Sequence, residues 1–425
     1  MANDYKNIII NRADIDPYSV TFQRNIKSPI HRWYPYKEGF SQSFVRKIFG
    51  KYKVNNKSRI IDPFAGSGTV LVEAKKKDIF SAGFELNPFI HFLAKVKLTW
   101  NIDITILERI LQEISQKYNF LQASKKKDKR FIQATKSCSI DPPNMNTLHK
   151  FYDEFTIKRL LILKEYWHLI DEAAIRNILM LIFSSLLVDM SNAARSPSLG
   201  YKKSKIGKEK KVWEEFIKRL SNVIEDLKWI QKKFAINNNG YLILREDNRT
   251  SKALEGENLT HVITSPPYIN NIDYIRNSKL ELFWCDFVKT ATEFYQLKKI
   301  FSRSFLGSVE EDKLINVLPE ITMIAEQVKD SKPFNKKIPA MITAYFSDIK
   351  STFVNLLSML ETKAKLVIVI GDSCFAGVHI PTDLLISKIM ELIGYKVNKI
   401  EIVRFRRSTF HKTRLRESII HLEWI

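Results

Sequence analysis

Cysteine is scarce in this 425-residue chain: Cys138, Cys285 and Cys374 lie far apart, and none belongs to a Cys-x-x-Cys pair. A disulfide framework and a zinc ribbon are thereby excluded, and the three read as reduced, buried thiols of a cytoplasmic protein. The eight histidines show no metal-ligand spacing, so no resident metal is expected. His31, beside Arg32, Trp33 and Tyr34, reads as part of an aromatic packing segment. Long apolar runs are missing too. The longest, Ile178 to Val188, is interrupted by Ser184 and Ser185 and falls short of the roughly twenty residues that span a bilayer, so it reads as a buried helix and no membrane partner is expected. No secretory leader opens the chain at Met1 to Lys6, no internal repeat recurs, and no Pro-rich or Gly/Ser-rich linker divides it.

Positive charge, by contrast, is abundant. Lys and Arg number 68 against 46 Asp and Glu, a formal net charge of +22. Each phosphate neutralised by such side chains releases counterions, so the excess favours a polyanionic partner. Charge alone does not separate DNA from RNA or from an acidic membrane surface.

Two short motifs narrow the chemistry. In the first, the apolar strand Arg59 to Asp62 runs into Pro63-Phe64-Ala65-Gly66-Ser67-Gly68-Thr69, which opens a helix-like stretch. Gly66 and Gly68 allow a sharp turn and close approach to a ligand, and Ser67 or Thr69 can cap the helix. Glu85 closes the next apolar strand, Phe80 to Phe84, where a ribose-binding carboxylate is expected. No Gly-Lys-Ser/Thr follows, which disfavours a phosphate-binding P-loop. In the second motif, Ser265-Pro266-Pro267-Tyr268 follows the apolar run His261 to Thr264. Proline has no N–H and a fixed φ, and it forces the preceding residue into an extended conformation. Carbonyl acceptors are thus held outward, beside a flat ring. An extruded nucleobase needs both elements, oxygens for its amine and an aromatic face to stack on.

The two motifs resemble motifs I and IV of the S-adenosyl-L-methionine-dependent DNA amino-methyltransferases, specifically the cytosine-N4 branch. Phe84-Glu85-Leu86-Asn87-Pro88 is similar to motif II and Arg245-Glu246-Asp247-Asn248 to motif III, while Gly39-Phe40-Ser41 with Val45 looks like the segment that packs around the methionine moiety. The resemblance implies that Asp62 and the Gly66-Ser67-Gly68 backbone hold the methionine end, Glu85 the ribose and Asp247 the adenine. It implies direct methyl transfer to an exocyclic amine, with Ser265 Oγ and the Pro266 carbonyl accepting its N–H bonds and Tyr268 stacking on the base. Double-stranded DNA is the expected partner, and a cognate restriction endonuclease a candidate one. Adenine-N6 enzymes more often carry Asp or Asn where Ser265 stands, but Ser does not chemically exclude adenine, and an RNA amine stays open as a third substrate. A cytosine-C5 mechanism would need a Pro-Cys nucleophile, and no cysteine here follows a proline. Many cytosine-N4 enzymes place the Pro-Pro turn before the cofactor loop; here it follows.

Around these motifs the pattern alternates. Strands are predicted at 58–62, 80–85, 240–245, 260–264, 365–371, 395–405 and 417–424, with helices near 69–78, 88–99, 341–360 and 382–393. That is a doubly wound, Rossmann-like α/β sheet, its last two strands forming an antiparallel hairpin at the edge. Residues 1–100 and 240–425 would make a discontinuous catalytic domain. Residues 101–239, with helical periodicity through 148–170, 173–190 and 212–234, read as a helical insertion and the first candidate for target recognition, with 285–340 second. Asp141-Pro142-Pro143-Asn144 lacks an aromatic residue and reads as a turn into a helix. Arg195 to Lys211 reads as a flexible basic loop, equally compatible with a phosphate backbone and with plain solvation, and Lys125 to Arg130 as a solvated one. The Arg404 to Arg416 stretch joins two strands of the sheet, and contact with DNA or cofactor is expected there.

Overall fold

A computed structural model describes residues 5–12, 15–123, 138–196, 198–208, 210–234, 240–309, 317–408 and 412–425, with side chains of 117–123 left aside. Lys125 to Arg130 and Phe410 therefore lie outside the described residues. The strands are β1 (Ile9–Asn11), β2 (Arg59–Asp62), β3 (Phe80–Phe84), β4 (Ala193–Arg195), β5 (Leu199–Tyr201), β6 (Tyr241–Leu244), β7 (Leu259–Thr264), β8 (Leu360–Gly371), β9 (Ser373–Phe375), β10 (Val378–Ile380), β11 (Tyr395–Arg407) and β12 (Arg414–Trp424). Eight of them form one sheet in the order β1-β11-β12-β8-β7-β2-β3-β6. Only β12 runs against the rest, antiparallel to both β8 and β11.

The alternation along β8 shows why the sheet is covered on both sides. Val367 and Val369 join one apolar cluster while Leu366, Ile368 and Ile370 join the other, all of them buried. Successive side chains point to opposite faces, so a continuous apolar run builds two cores at once. The same division holds at Ile60 against Ile61 and at Ile263 against Val262. The mixed α/β sheet with both faces covered is the doubly wound arrangement expected.

Several boundaries differ. The β11–β12 hairpin forms, but β1 pairs with β11 and takes the edge. This strand has three residues, none of them buried, so no alternation betrays it. Strand β8 starts five residues early because Glu361, Thr362 and Lys363 are exposed, where an apolar pattern ends before the pairing does. The helix expected at 341–360 spans Ile338–Leu356, with Pro339 in its first turn, and gives way to a 3-10 turn at Leu357–Met359. Of the three cysteines only Cys285 is buried; Cys138 and Cys374 are half-buried.

Between β3 and β6, after helix Pro88–Lys97, stand helices Ile104–Ala123, Leu148–Phe151, Glu154–His168, Ala173–Met190 and Val212–Lys233. Ala173–Met190 is apolar and long enough to cross a membrane by composition, but two thirds of it is buried inside the protein (67%). Asp141 to Asn144 leads through a turn into Leu148–Phe151, as read from the sequence. The basic stretch after Arg195 is not the flexible loop expected. It folds into the β4–β5 ribbon and a 3-10 turn, with Lys205 donating to the carbonyls of Val188 at 2.6 Å and Ala193 at 2.8 Å. Lys210 donates to Lys205 O at 3.1 Å. Ammonium groups spent on buried carbonyls order the chain instead of solvating it.

Candidate functional site

Strands β2 and β7 are parallel neighbours, with Ile60 facing His261 and Ile61 facing Val262, so their carboxyl ends release two loops side by side. One is Pro63 to Thr69 and the other Ser265 to Tyr268. A side-chain bond joins them: Thr264 Oγ1 donates to Asp62 Oδ1 at 2.7 Å, and the same oxygen accepts from Phe64 N at 3.0 Å. Asp62 is buried beneath the loop, and burial pushes its carboxyl up to about 7 against those two bonds.

The glycine loop is tight. Ala65 N donates to Phe84 O at 3.0 Å and Gly68 N to Ala65 O at 2.9 Å. Gly66 and Gly68 both have left-handed backbones, φ +50° and +76°, and a Cβ at Gly66 would sit 2.9 Å from the Tyr36 ring. Capping differs from expectation. Gly68 itself is the N-cap of helix Thr69–Lys75 and offers no side chain, while Ser67 and Thr69 are buried without capping it. The left-handed turn fixes the helix start, so the hydroxyls are not at the cap position.

A cavity of about 420 Å³ opens over both loops. Pro63, Phe64, Gly66, Glu85, Ser265, Pro266, Pro267 and Tyr268 all line it, together with Tyr34, Tyr36 and Tyr274. Glu85, at the end of β3, accepts from Asn87 N at 2.7 Å, and Asn87 caps the helix that follows. Burial pushes Glu85 up to about 7, with repulsion from Asp62 adding to it. Its described partners are backbone N–H groups, with no cation among them.

Tyr268 is held from three sides. Its N–H donates to Tyr274 Oη at 3.1 Å, its phenol donates to Glu417 Oε1 at 2.9 Å, and its ring lies so close to Gly371 that a Cβ there would meet Cε2 at 2.9 Å. Glu417 comes from β12 and is itself paired with Arg404 of β11. Arg406 stands with its guanidinium carbon 5.8 Å from the Tyr268 ring centroid. Burial first, and then Glu417, push the Tyr268 phenol well above 10, so it stays a donor.

Other expected residues lie elsewhere. Phe40 is buried against Phe44, ring centroids 5.1 Å apart, and Ser41 Oγ donates to Ser19 O at 2.7 Å and caps helix Gln42–Lys51. Neither lines the cavity. Asp247 does not line it either: despite partial burial, bonds from Arg249 at 2.7 and 2.8 Å hold its carboxyl below the usual range. Its neighbours Glu246, Asn248 and Arg249 do line it, and Asn248 Nδ2 donates to Pro63 O at 2.5 Å, tying the turn after β6 to the glycine loop. Arg404 and Arg406 reach the cavity as the basic stretch implied, whereas Arg416 is spent on Asp372 and Asp383. His31 packs as expected, buried with Nε2 2.9 Å from Glu73 Oε1. Sequence reading gave no individual role in the site to Tyr36, Tyr274, Glu417 or Arg195. The last is a ribbon residue bonded to Tyr34 Oη at 2.7 Å and to Glu281 at 2.5 Å. Among the described residues no group of three or more His, Cys, Asp or Glu could hold a metal ion.

A mostly parallel, doubly wound sheet with a glycine loop and a Pro-Pro turn at adjacent strand ends defines a Rossmann-like methyltransferase fold. No family model matches the chain. Over 95% of this chain and 86% of its own length, the type II methyltransferase M.BsoBI of Geobacillus stearothermophilus is 27% identical. M.AvaI of Nostoc sp., also a type II methyltransferase, is 25% identical over 90% of this chain and 83% of its own. M.MvaI of Kocuria varians, named likewise, is 20% identical over 78% and 74%. These relatives support a methyltransferase assignment for the chain.

Proposed function

We propose that the protein is a site-specific DNA methyltransferase that moves a methyl group from S-adenosyl-L-methionine to the exocyclic N4 amine of cytosine, in a restriction-modification setting. The observation that carries this reading is the Thr264–Asp62 bond, which clamps the Pro-Pro turn to the glycine loop so that both open on one cavity. The type II relatives, similar over most of the chain, support the DNA substrate and the setting.

The cavity suits the cofactor. About 420 Å³ falls within the usual range for small-molecule sites. Glu85, a carboxylate whose described partners are backbone N–H groups, is the acceptor a ribose diol requires, and Phe64, Leu86 and Ile90 supply apolar walls for an adenine. Pro63 and Gly66 would face the methionine end. When bound, S-adenosyl-L-methionine supplies an electrophilic methyl group on a sulfonium.

The amine of cytosine is a poor nucleophile because its lone pair is delocalised into the ring. Ser265 Oγ and the Pro266 carbonyl accept its two N–H bonds and draw the nitrogen towards tetrahedral geometry, which is positioning and electrostatics rather than covalent catalysis. Tyr268 offers its ring to the extruded base. Base flipping costs a few kcal/mol, and a stacked aromatic returns about 1–3 kcal/mol.

Incubating duplex DNA with the protein and cofactor, followed by nucleoside digestion and mass spectrometry, tests the proposal. N4-methylcytosine is the expected product. N6-methyladenine would transfer the reading to the adenine amine, and methylated RNA with unmodified DNA would overturn it.

A further inference from the structure

A second cleft, of about 280 Å³, opens beside the main cavity. Two remote parts of the chain build it: Lys150 and the ribbon residue Tyr201 come from between β3 and β6, and Arg276, Lys279, Tyr295 and Lys298 follow the Ser265–Tyr268 turn. Asn277 lines the main cavity and bonds Leu199, which lines the cleft. Its side chain accepts from Leu199 N at 2.8 Å and donates to Glu38 at 2.7 Å, while its carbonyl accepts from Arg195 Nε at 2.7 Å. On the single turn Tyr274–Asn277, Tyr274 faces the main cavity and Arg276 the cleft.

The cleft is rich in cations and poor in counter-charge. Lys298 pairs with Asp273, but Lys150, Arg276 and Lys279 have no carboxylate partner among the described residues. Lys279 donates to Thr147 Oγ1 at 3.3 Å; burial, then Lys298 and Arg276, push its ammonium down. Like charges gathered in a concave site focus their field on an incoming anion. The rim is aromatic. Lys150 Nζ lies 5.4 Å from the Tyr201 ring centroid and Lys298 Nζ 5.8 Å from that of Tyr295, and the two rings are 40% and 63% exposed. Cations interleaved with exposed rings suit a sugar-phosphate chain better than a compact acid.

We infer that this cleft binds a backbone phosphate of the DNA strand that carries the target base, adjacent to the nucleotide presented at Ser265–Tyr268. The inference rests on the DNA-methyltransferase reading and adds where the strand enters. Both regions singled out for target recognition, 101–239 and 285–340, contribute side chains to the cleft, so the phosphate fixes the register between them and the reacting base.

The test uses the full chain, a fluorescently labelled duplex oligonucleotide and the variant Lys150→Gln/Arg276→Gln, whose altered side chains are exposed. Anisotropy titrations across a salt series should show about tenfold weaker duplex binding, and a log–log salt slope shallower by about 0.9 for each phosphate contact removed. Calorimetric affinity for S-adenosyl-L-methionine should not change. Tyr201→Ala, on the exposed rim, should weaken duplex binding with an unchanged salt slope. Unaltered affinity and slope in the double variant, with a wild type that binds duplex, would overturn the cleft assignment and leave the methyltransferase reading standing. Wild-type protein that binds cofactor and RNA but no duplex would remove the DNA substrate and this inference with it. Displacement of duplex by millimolar inorganic phosphate from the wild type alone would mark a free-phosphate site and also overturn the inference.

Discussion

Tyr268 is bounded by Gly371 as tightly as by any hydrogen bond. A Cβ on Gly371 would lie 2.9 Å from Tyr268 Cε2 and 2.5 Å from Arg406 Nη2, so Gly371→Ala must displace the ring, the guanidinium or both. We expect turnover to fall at least about tenfold, roughly 1.4 kcal/mol in the barrier, with cofactor affinity by calorimetry unchanged. Tyr268→Ala should lose most activity and also keep cofactor binding; unchanged turnover in that variant would exclude the stacking role. Tyr268→Phe separates ring from phenol and should retain more activity than the alanine variant. Gly66→Ala is the counterpart on the cofactor side. Its backbone stands at φ +50° and its new methyl would meet the Tyr36 ring at 2.9 Å, so cofactor affinity should drop about tenfold while duplex binding persists. The two glycines differ in legibility. Gly66 sits inside a contiguous motif, but Gly371 closes an ordinary buried strand, and only sheet order brings Tyr268 against it.

Among elements, the β4–β5 ribbon carries the largest departure from what the sequence suggests. A run dense in Lys reads as a flexible basic loop, along a phosphate backbone or in solvent, yet Arg195 from it is almost fully enclosed with Glu281, side chains 7% and 1% exposed. Glu281 also accepts from Tyr34 Oη at 2.9 Å, so three distant segments close on one carboxylate. Removing one member of a buried ion pair costs about 3–5 kcal/mol because the other is left uncompensated. Arg195→Ala should therefore lower the unfolding free energy extrapolated from urea titration by that amount, and Arg195→Ala/Glu281→Gln should recover much of it. The strand-and-loop frame was legible because β2, β3 and β7 are short apolar runs ending in Gly, Pro or acid. The ribbon was not, since what orders it is a set of long-range bonds from lysines and an arginine whose local sequence resembles coil. Asp247 reads as an adenine contact from its place in a motif, and the structure pairs it with Arg249, only two positions on.

For the whole molecule, buried titratable groups of both signs set the response to pH. Burial lowers His31 and His261 to about 4, and lowers His91 and His421 as well. The unfolded chain thus binds protons that the folded one refuses, so this stability is present above about pH 6.5 and lost as pH falls towards 4. Asp62 and Glu85 act oppositely. Raised to about 7, they favour the fold below the ordinary carboxylate range near pH 4 and lose that contribution as pH rises through 7. Thermal melts of the protein without cofactor should show Glu85→Gln gaining on wild type at pH 8 and not at pH 5. A uniform gain would mean that Glu85 does not titrate there.

The Ser265–Tyr268 turn leans on a late part of the chain, through Glu417 of β12, a strand that lies inside the sheet between β8 and β11. A gene copy cut short just before residue 414 would still display every recognisable signature to a motif scan. Its product would have a gap in the middle of its sheet and no anchor for the tyrosine. Intact signatures would then mark a pseudogene.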